Sequence, residues 1–168
     1  MIVHEVPTAD AMEHAGRALA ADLRRGDLVV LTGPLGAGKT TLTRGIGAGL
    51  GVRGPVQSPT FVLARTHPSL VDGPPLVHVD AYRLGSAMEL DDLDIDFAGS
   101  VVVVEWGAGM LDGVADSWLE VEIARPTGAA EGVAVPEASG DLDDDEPRTL
   151  RVIGRGPRWA GGRYADPT

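Results

Sequence analysis

Gly33-Pro34-Leu35-Gly36-Ala37-Gly38-Lys39-Thr40 has the spacing G-x-x-x-x-G-K-[ST] of a loop that wraps its backbone around phosphate. Glycines let such a loop take positive φ and approach a ligand closely. The N–H groups of Gly36, Ala37, Gly38, Lys39 and Thr40 can then cradle phosphate oxygens, and a helix starting here adds a partial charge of roughly +0.5. In this chemistry Lys39 reaches the β- and γ-phosphates and the Thr40 hydroxyl ligates Mg²⁺. Lys39 is also the only lysine; every other basic side chain is arginine. An ammonium is a compact point charge and a guanidinium a flat fork. The single lysine therefore stands where a point charge between two phosphates is useful.

Such a loop needs an acidic partner at the end of a neighbouring strand. Mg²⁺ takes hard oxygen ligands and keeps several waters, so one or two protein oxygens suffice. Glu105 follows Val101-Val102-Val103-Val104, and Asp80 follows Leu76-Val77-His78-Val79. In a parallel sheet both emerge at the carboxyl edge, where ligands bind. Glu105 is assigned to Mg²⁺, and Asp80 to its water shell or to activation of the attacking water. The plainer alternative for either acid is an ion pair with an arginine such as Arg83.

Thr60, in Ser58-Pro59-Thr60, offers a hydroxyl that can sense Mg²⁺ and γ-phosphate as a switch residue does; Ser58-Pro59 alone is a strand-entry turn. Trp106 alternates to the face of its strand opposite Glu105, where tryptophan is ordinarily a core residue. Arg83 steadies a phosphate or an acid, or is a surface arginine. His78 reads as a packing residue of its strand.

These groups need strands and helices to hold them. Asp27-Leu28-Val29-Val30-Leu31-Thr32 is a short apolar run, the pattern of a buried parallel strand before the loop. Leu42, Ile46 and Leu50 share one helical face after it. Gly45, Gly47 and Gly49 each cost this helix up to about 1 kcal/mol relative to alanine, so packing on the sheet must hold it. Residues 9–25 have helical spacing, with Asp10 and Glu13 as a capping box or Thr8 as the cap.

Residues 60–65 and 76–82 read as strands around a Pro/Gly loop. Ser86 with Glu89 opens a short acidic helix near 87–93. Residues 118–123 alternate like a half-exposed antiparallel strand, and 149–153 do much the same, so the two pair as a hairpin or a sheet extension. The stretch 128–147 is acidic with almost no large apolar residue, which predicts a flexible insertion. Residues 1–154 are expected to form one domain, and 155–168 a disordered tail, with contact to RNA or a partner through Arg155, Arg158, Trp159, Arg163 and Tyr164 as the alternative.

Composition narrows the partners. The net charge of −11 repels a polyanion over any large shared surface. Screening limits that repulsion to about 8 Å, which leaves room for a local basic spot to touch RNA, but over the whole surface the charge favours meeting nucleic acid, if at all, through a partner protein. Absence of cysteine excludes disulfides and thiolate metal sites and is compatible with the cytosol. The first residues lack a basic segment leading into a long apolar one, and no run of 18 apolar residues occurs. No membrane span is expected.

Four further segments add specificity: Thr43-Arg44-Gly45, Ser58-Pro-Thr-Phe61, His78-Val-Asp-Ala-Tyr-Arg-Leu84 and Val104-Glu-Trp106. With the loop, in this order, they resemble the bacterial TsaE (YjeE) family of ATPases of tRNA threonylcarbamoyladenosine biosynthesis. The resemblance spans residues 28–106. It implies a P-loop NTPase-like three-layer α/β sandwich with a mixed, mainly parallel sheet.

It also implies ATP and Mg²⁺ as cofactors, with hydrolysis that supports TsaB and TsaD in modifying adenosine 37 of tRNA in the cytoplasm; tRNA is met only indirectly. Thr40 and Glu105 become the Mg²⁺ ligands. Lys39, Thr60, Asp80 and Glu105 become the catalytic set, and Gly36, Ala37, Gly38, Lys39, Thr40, Thr41, Arg83 and Trp106 the nucleotide contacts. Pro34, Phe61 and Ala81 depart from common family residues, but none is a phosphate or metal ligand. The alternatives are a P-loop small-molecule kinase, against which the lack of an evident substrate lid counts, and a nucleotide-gated interaction module with incidental hydrolysis.

Overall fold

The computed structural model describes residues 1–59, 63–111, 113–126 and 146–167. Seven strands form one mixed sheet: β1 (Ile2–Val6), β2 (Leu28–Thr32), β3 (Ala64–His67), β4 (Leu76–Asp80), β5 (Val101–Glu105), β6 (Trp118–Ala124) and β7 (Arg148–Arg155). Their order across the sheet is β1-β7-β6-β2-β5-β4-β3. The centre is parallel, with β2 between β5 and β6 and β4 beside β5. The flanks are antiparallel: β3 on β4, β7 on β6 and β1 on β7. The central strands are near-continuous apolar runs because both faces are covered.

One face carries α1 (Ala9–Ala20) and α2 (Lys39–Leu50) over Val29, Leu31, Val101, Val103, Leu119, Val121 and Ile123. The other carries α3 (Ala87–Asp91) and loop residues over Val30, Val77, Val79, Val102 and Val104. The three-layer α/β arrangement expected from the sequence is therefore present. Among the described residues no helix is long and apolar enough to cross a membrane.

Several local expectations change. α1 is capped by Thr8, whose hydroxyl accepts from Ala11 N at 3.1 Å; Asp10 lies inside the first turn, so it is not the cap. The helix stops at Ala20 and the chain turns through 21–27 to enter β2. α3 is one short helix capped by Ser86, with Glu89 accepting from Gly85 N instead of closing the box on Ser86. β4 ends at Asp80, because its carboxylate accepts from Tyr82 N at 3.0 Å and turns the chain. Of the strand expected at 60–65, residues 60–62 lie outside the described ones and the observed strand begins at Ala64. β6 pairs with β7 as expected, but its other edge is parallel to β2.

The glycines of α2 serve a neighbour the sequence did not name. A Cβ on Gly45 would lie 2.1 Å from the Glu13 carbonyl oxygen, and one on Gly16 2.3 Å from that of Leu42. A Cβ on Gly49 would meet Ala20 at 2.6 Å. The two helices touch backbone to backbone through these positions; of the three α2 glycines, only Gly47 faces Val56 and Leu76 towards the sheet.

The tail expected to be disordered is folded. A 3₁₀ turn at Pro157–Trp159 follows β7, and Trp159 and Tyr164 are both 5% exposed. Their rings meet edge to face, 5.6 Å apart, against Gly154. Arg158 pairs with Asp27 at 3.0 Å, and the Tyr164 hydroxyl donates to Asp22 at 2.6 Å. Two buried aromatics and two acids on the opposite side of the sequence supply the burial that composition alone did not show. The expected insertion 128–147 lies outside the described residues except for Glu146 and Pro147. Glu146 accepts from both Arg125 and Arg148.

Candidate functional site

The loop after β2 turns through Gly36 (φ 74°) and Gly38 (φ 108°), a region open to glycine and strained for other residues. Gly33 is also required: a Cβ there would lie 2.7 Å from the Ile123 carbonyl oxygen. α1 and α3 have side-chain caps, but α2 begins at Gly38 with none. Among the described residues, the amides of Gly36, Gly38, Lys39, Thr40 and Thr41 donate to no carbonyl, whereas Ala37 and Leu42 do. Five N–H groups and the positive end of α2 are thus left for an anion of several oxygens.

Lys39 is 6% exposed, and its ammonium donates to the carbonyls of Gly33 at 2.8 Å and Pro34 at 2.9 Å. An ammonium has three N–H donors, so one remains. The nitrogen lies 4.0 Å from the centre of the Trp106 ring. Burial pushes the Lys39 pKa below the ordinary lysine value, while Glu105 and then Asp80 act in the opposite direction.

The acids arrive by register. β4 and β5 pair in parallel with Asp80 opposite Glu105, and Leu31 of β2 is also opposite Glu105. Leu76, Val101 and Val103 belong to the core under α1 and α2. By strand alternation His78, Asp80 and Glu105 face that same layer. The Thr40 hydroxyl lies 3.4 Å from Glu105 Oε1. His78, fully enclosed, places Nε2 2.7 Å from the same oxygen.

Trp106 does not continue the alternation. Its φ of 62° ends β5, its N–H donates to the Leu31 carbonyl, and its half-buried ring turns back over Lys39. Tyr82 packs on it edge to face at 5.5 Å. Positive φ at a bulky residue costs of order 1–3 kcal/mol and persists where the surroundings enforce it.

The structure thus brings Gly36, Ala37, Gly38, Lys39, Thr40, Glu105 and Trp106 together, with Asp80 beside Glu105 in register. Thr41 is buried in the first turn of α2, with its amide in the same set. Arg83 is exposed on the turn after β4. Thr60 lies outside the described residues. The sequence reads His78 as a packing residue of its strand, at the head of the His78-Val-Asp-Ala-Tyr-Arg-Leu84 segment; its contact with Glu105 comes from the register of β4 on β5.

Among the described residues no group of three His, Cys, Asp or Glu side chains has metal-holding geometry. Thr40 and Glu105 offer two hard oxygen donors instead, a set that fits Mg²⁺ and the few protein ligands it needs. Amides for phosphate, a buried ammonium and paired acids at the carboxyl edge can bind a polyphosphate with its metal.

Sheet, loop and helix define an α/β protein with a P-loop-like fold. The family profile described as "Threonylcarbamoyl adenosine biosynthesis protein TsaE" matches residues 6–131, and the chain belongs to the TsaE family. The tRNA threonylcarbamoyladenosine biosynthesis protein TsaE of Streptomyces coelicolor is 55% identical over 152 residues, covering 89% of this chain and 94% of that one. Its counterpart from Mycobacterium leprae is 48% identical over 119 residues, 66% of this chain and 74% of that one. The crystal structure of Bacillus subtilis YdiB superposes with a TM-score of 0.64 at 28% identity, over 97% of this chain and 88% of that one.

Proposed function

We propose that this chain is a Mg²⁺-dependent ATPase that serves the threonylcarbamoyl modification of adenosine 37 in tRNA, acting with TsaB and TsaD. The observation that carries the reading is the convergence on one sheet edge of five undonated loop amides, the Lys39 ammonium, and the Thr40 and Glu105 oxygens. Membership of the TsaE family supports the pathway. The chain's negative charge supports contact with tRNA through the complex.

The loop amides bind and orient the β- and γ-phosphates. Lys39, held by two carbonyls and roofed by Trp106, stabilises charge that develops on the γ-phosphoryl oxygens. Glu105 and Thr40 hold the metal, which when bound neutralises phosphate charge. Asp80, at the same edge, orients the attacking water and accepts its proton. Thr60 and Arg83 complete the site in this reading, and hydrolysis drives a conformational cycle in the modifying complex.

The test is phosphate release from ATP with Mg²⁺, with and without TsaB–TsaD, beside multiple-turnover threonylcarbamoylation of tRNA. The expected result is release that rises with the partners, and a modification yield that depends on this chain. Yield unchanged by its omission would remove the proposed role. Transfer of phosphate to an added acceptor would make it a kinase, and modification undiminished with a non-hydrolysable analogue would make it a nucleotide-gated module.

A further inference from the structure

His78 sits two residues before Asp80 on β4, is 0% exposed, and reaches Glu105 Oε1 with Nε2 at 2.7 Å. Its other nitrogen, Nδ1, is buried and has no hydrogen-bond partner among the described residues. Neutral imidazole carries its proton on one nitrogen or the other. A proton on Nδ1 would bury an unpaired N–H and set the Nε2 lone pair against a carboxylate oxygen. A proton on Nε2 makes a charge-assisted bond and leaves only an acceptor unused.

The geometry points to His78 as a positioning residue: as the Nε2–H tautomer it pins Oε1 of Glu105 beside the Thr40 hydroxyl. Oε2, which takes no hydrogen bond among the described residues, is left to serve the metal. This inference rests on the reading of Glu105 as a Mg²⁺ residue. A glutamate has several side-chain torsions to restrict, and a partner behind a ligating carboxylate restricts them before the metal arrives. Leucine or phenylalanine would fill the same enclosed space, so packing alone does not explain a histidine aimed at an acid.

Long-range ¹⁵N–¹H spectra of the full chain read the tautomer directly. A proton on Nε2 is expected, and a proton on Nδ1 overturns the inference. Calorimetric Mg²⁺ titration of the nucleotide complex then compares His78→Leu, His78→Gln and wild type. The leucine variant is expected to need about tenfold more Mg²⁺, and the glutamine variant, whose amide can donate near the Nε2 position, to return within about threefold. Nucleotide affinity measured in EDTA should be unchanged in both.

Equal Mg²⁺ affinity in all three proteins, or equal losses in both variants, overturns the inference. If the leucine variant does not fold, His78→Asn takes its place, since its shorter amide cannot reach Glu105 as glutamine can. Glu105→Ala separates the two readings. If it weakens Mg²⁺ binding while His78→Leu does not, only the positioning role fails; if it leaves Mg²⁺ binding unchanged, the metal role of Glu105 falls and this inference with it.

Discussion

Lys39 combines burial with charge, and its burial is the larger influence. The unfolded chain holds this proton more tightly than the folded one. The group's contribution to stability is therefore fully present only above pH 10.5 and is lost as pH falls through the lowered folded value. Below that lowered value the buried ammonium carries its cost, offset by two carbonyls and the Trp106 ring. Lys39→Ala is expected to abolish ATP turnover with the fold intact, since Gly36 and Gly38 shape the loop. Lys39→Met should be close to wild type in urea stability at neutral pH, and any advantage should shrink as pH approaches 10.5. A global loss of fold in either variant would show that the lysine is structural. Asp80→Asn, which keeps an acceptor for Tyr82 N, should lower turnover more than nucleotide affinity; equal losses in kcat and affinity would make Asp80 a binding group.

At the scale of elements, α1 and α2 are locked by contacts that leave no room for a methyl group. Alanine at Gly45 would gain up to about 1 kcal/mol in helix propensity. It would also drive Cβ to 2.1 Å from a backbone oxygen, which cannot swing away as a side chain can. Overpacking of this kind costs typically about 1–3 kcal/mol, so Gly45→Ala should destabilise despite its propensity gain. A urea midpoint at or above wild type would show that the helices separate freely. The tail gives a second handle. Burial first, and then the Asp22 carboxylate, push the Tyr164 hydroxyl up to about 12. A raised value means the stabilisation is fully present below 10.0 and is lost as pH rises through about 12. Tyr164→Phe should therefore cost about 1.5–3 kcal/mol at neutral pH. The gap from wild type should close across that alkaline window, and a gap independent of pH would mean that the bond to Asp22 contributes nothing.

Across the whole molecule the two ends of the sheet do different work. The loop, Asp80 and Glu105 occupy the carboxyl edge of the parallel strands. The folded tail lies at the amino edge, where Arg158 meets Asp27 just before β2 and Arg155 stands opposite Trp118 at the start of β6. Removing residues 156–168 would expose the ground that Trp159 and Tyr164 cover. It should cost at least about 3–5 kcal/mol, the cost of deleting one large buried aromatic. Nucleotide affinity of the protein that remains folded should be unchanged, because the described tail residues pack against Asp22, Asp27 and β7 at the edge away from the loop. Denaturation paired with a nucleotide titration checks both halves; a loss of affinity without a loss of stability would contradict this division.

The chemistry of the site was legible in sequence wherever it depended on local spacing. The loop from Gly33 to Thr40 carries its own conformation in its glycines, and the valines before Glu105 announce a buried strand that ends in an acid. The pairing of 118–123 with 149–153 was visible as alternation. What spacing could not convey was which side chains and helix faces from distant segments touch. That His78 stands behind Glu105 follows from the parallel register of β4 on β5, and that Trp106 roofs Lys39 follows from one residue at φ 62°. Gly45 and Gly49 of α2 mark a seam with α1, and the tail is ordered by Asp22 and Asp27, more than 130 residues earlier in the chain. Local sequence determined which groups this protein can bring to the loop and its sheet edge, because backbone conformation and capping are settled within a few residues. Only the tertiary structure decided which of them meet, because burial and register join segments that no local pattern connects.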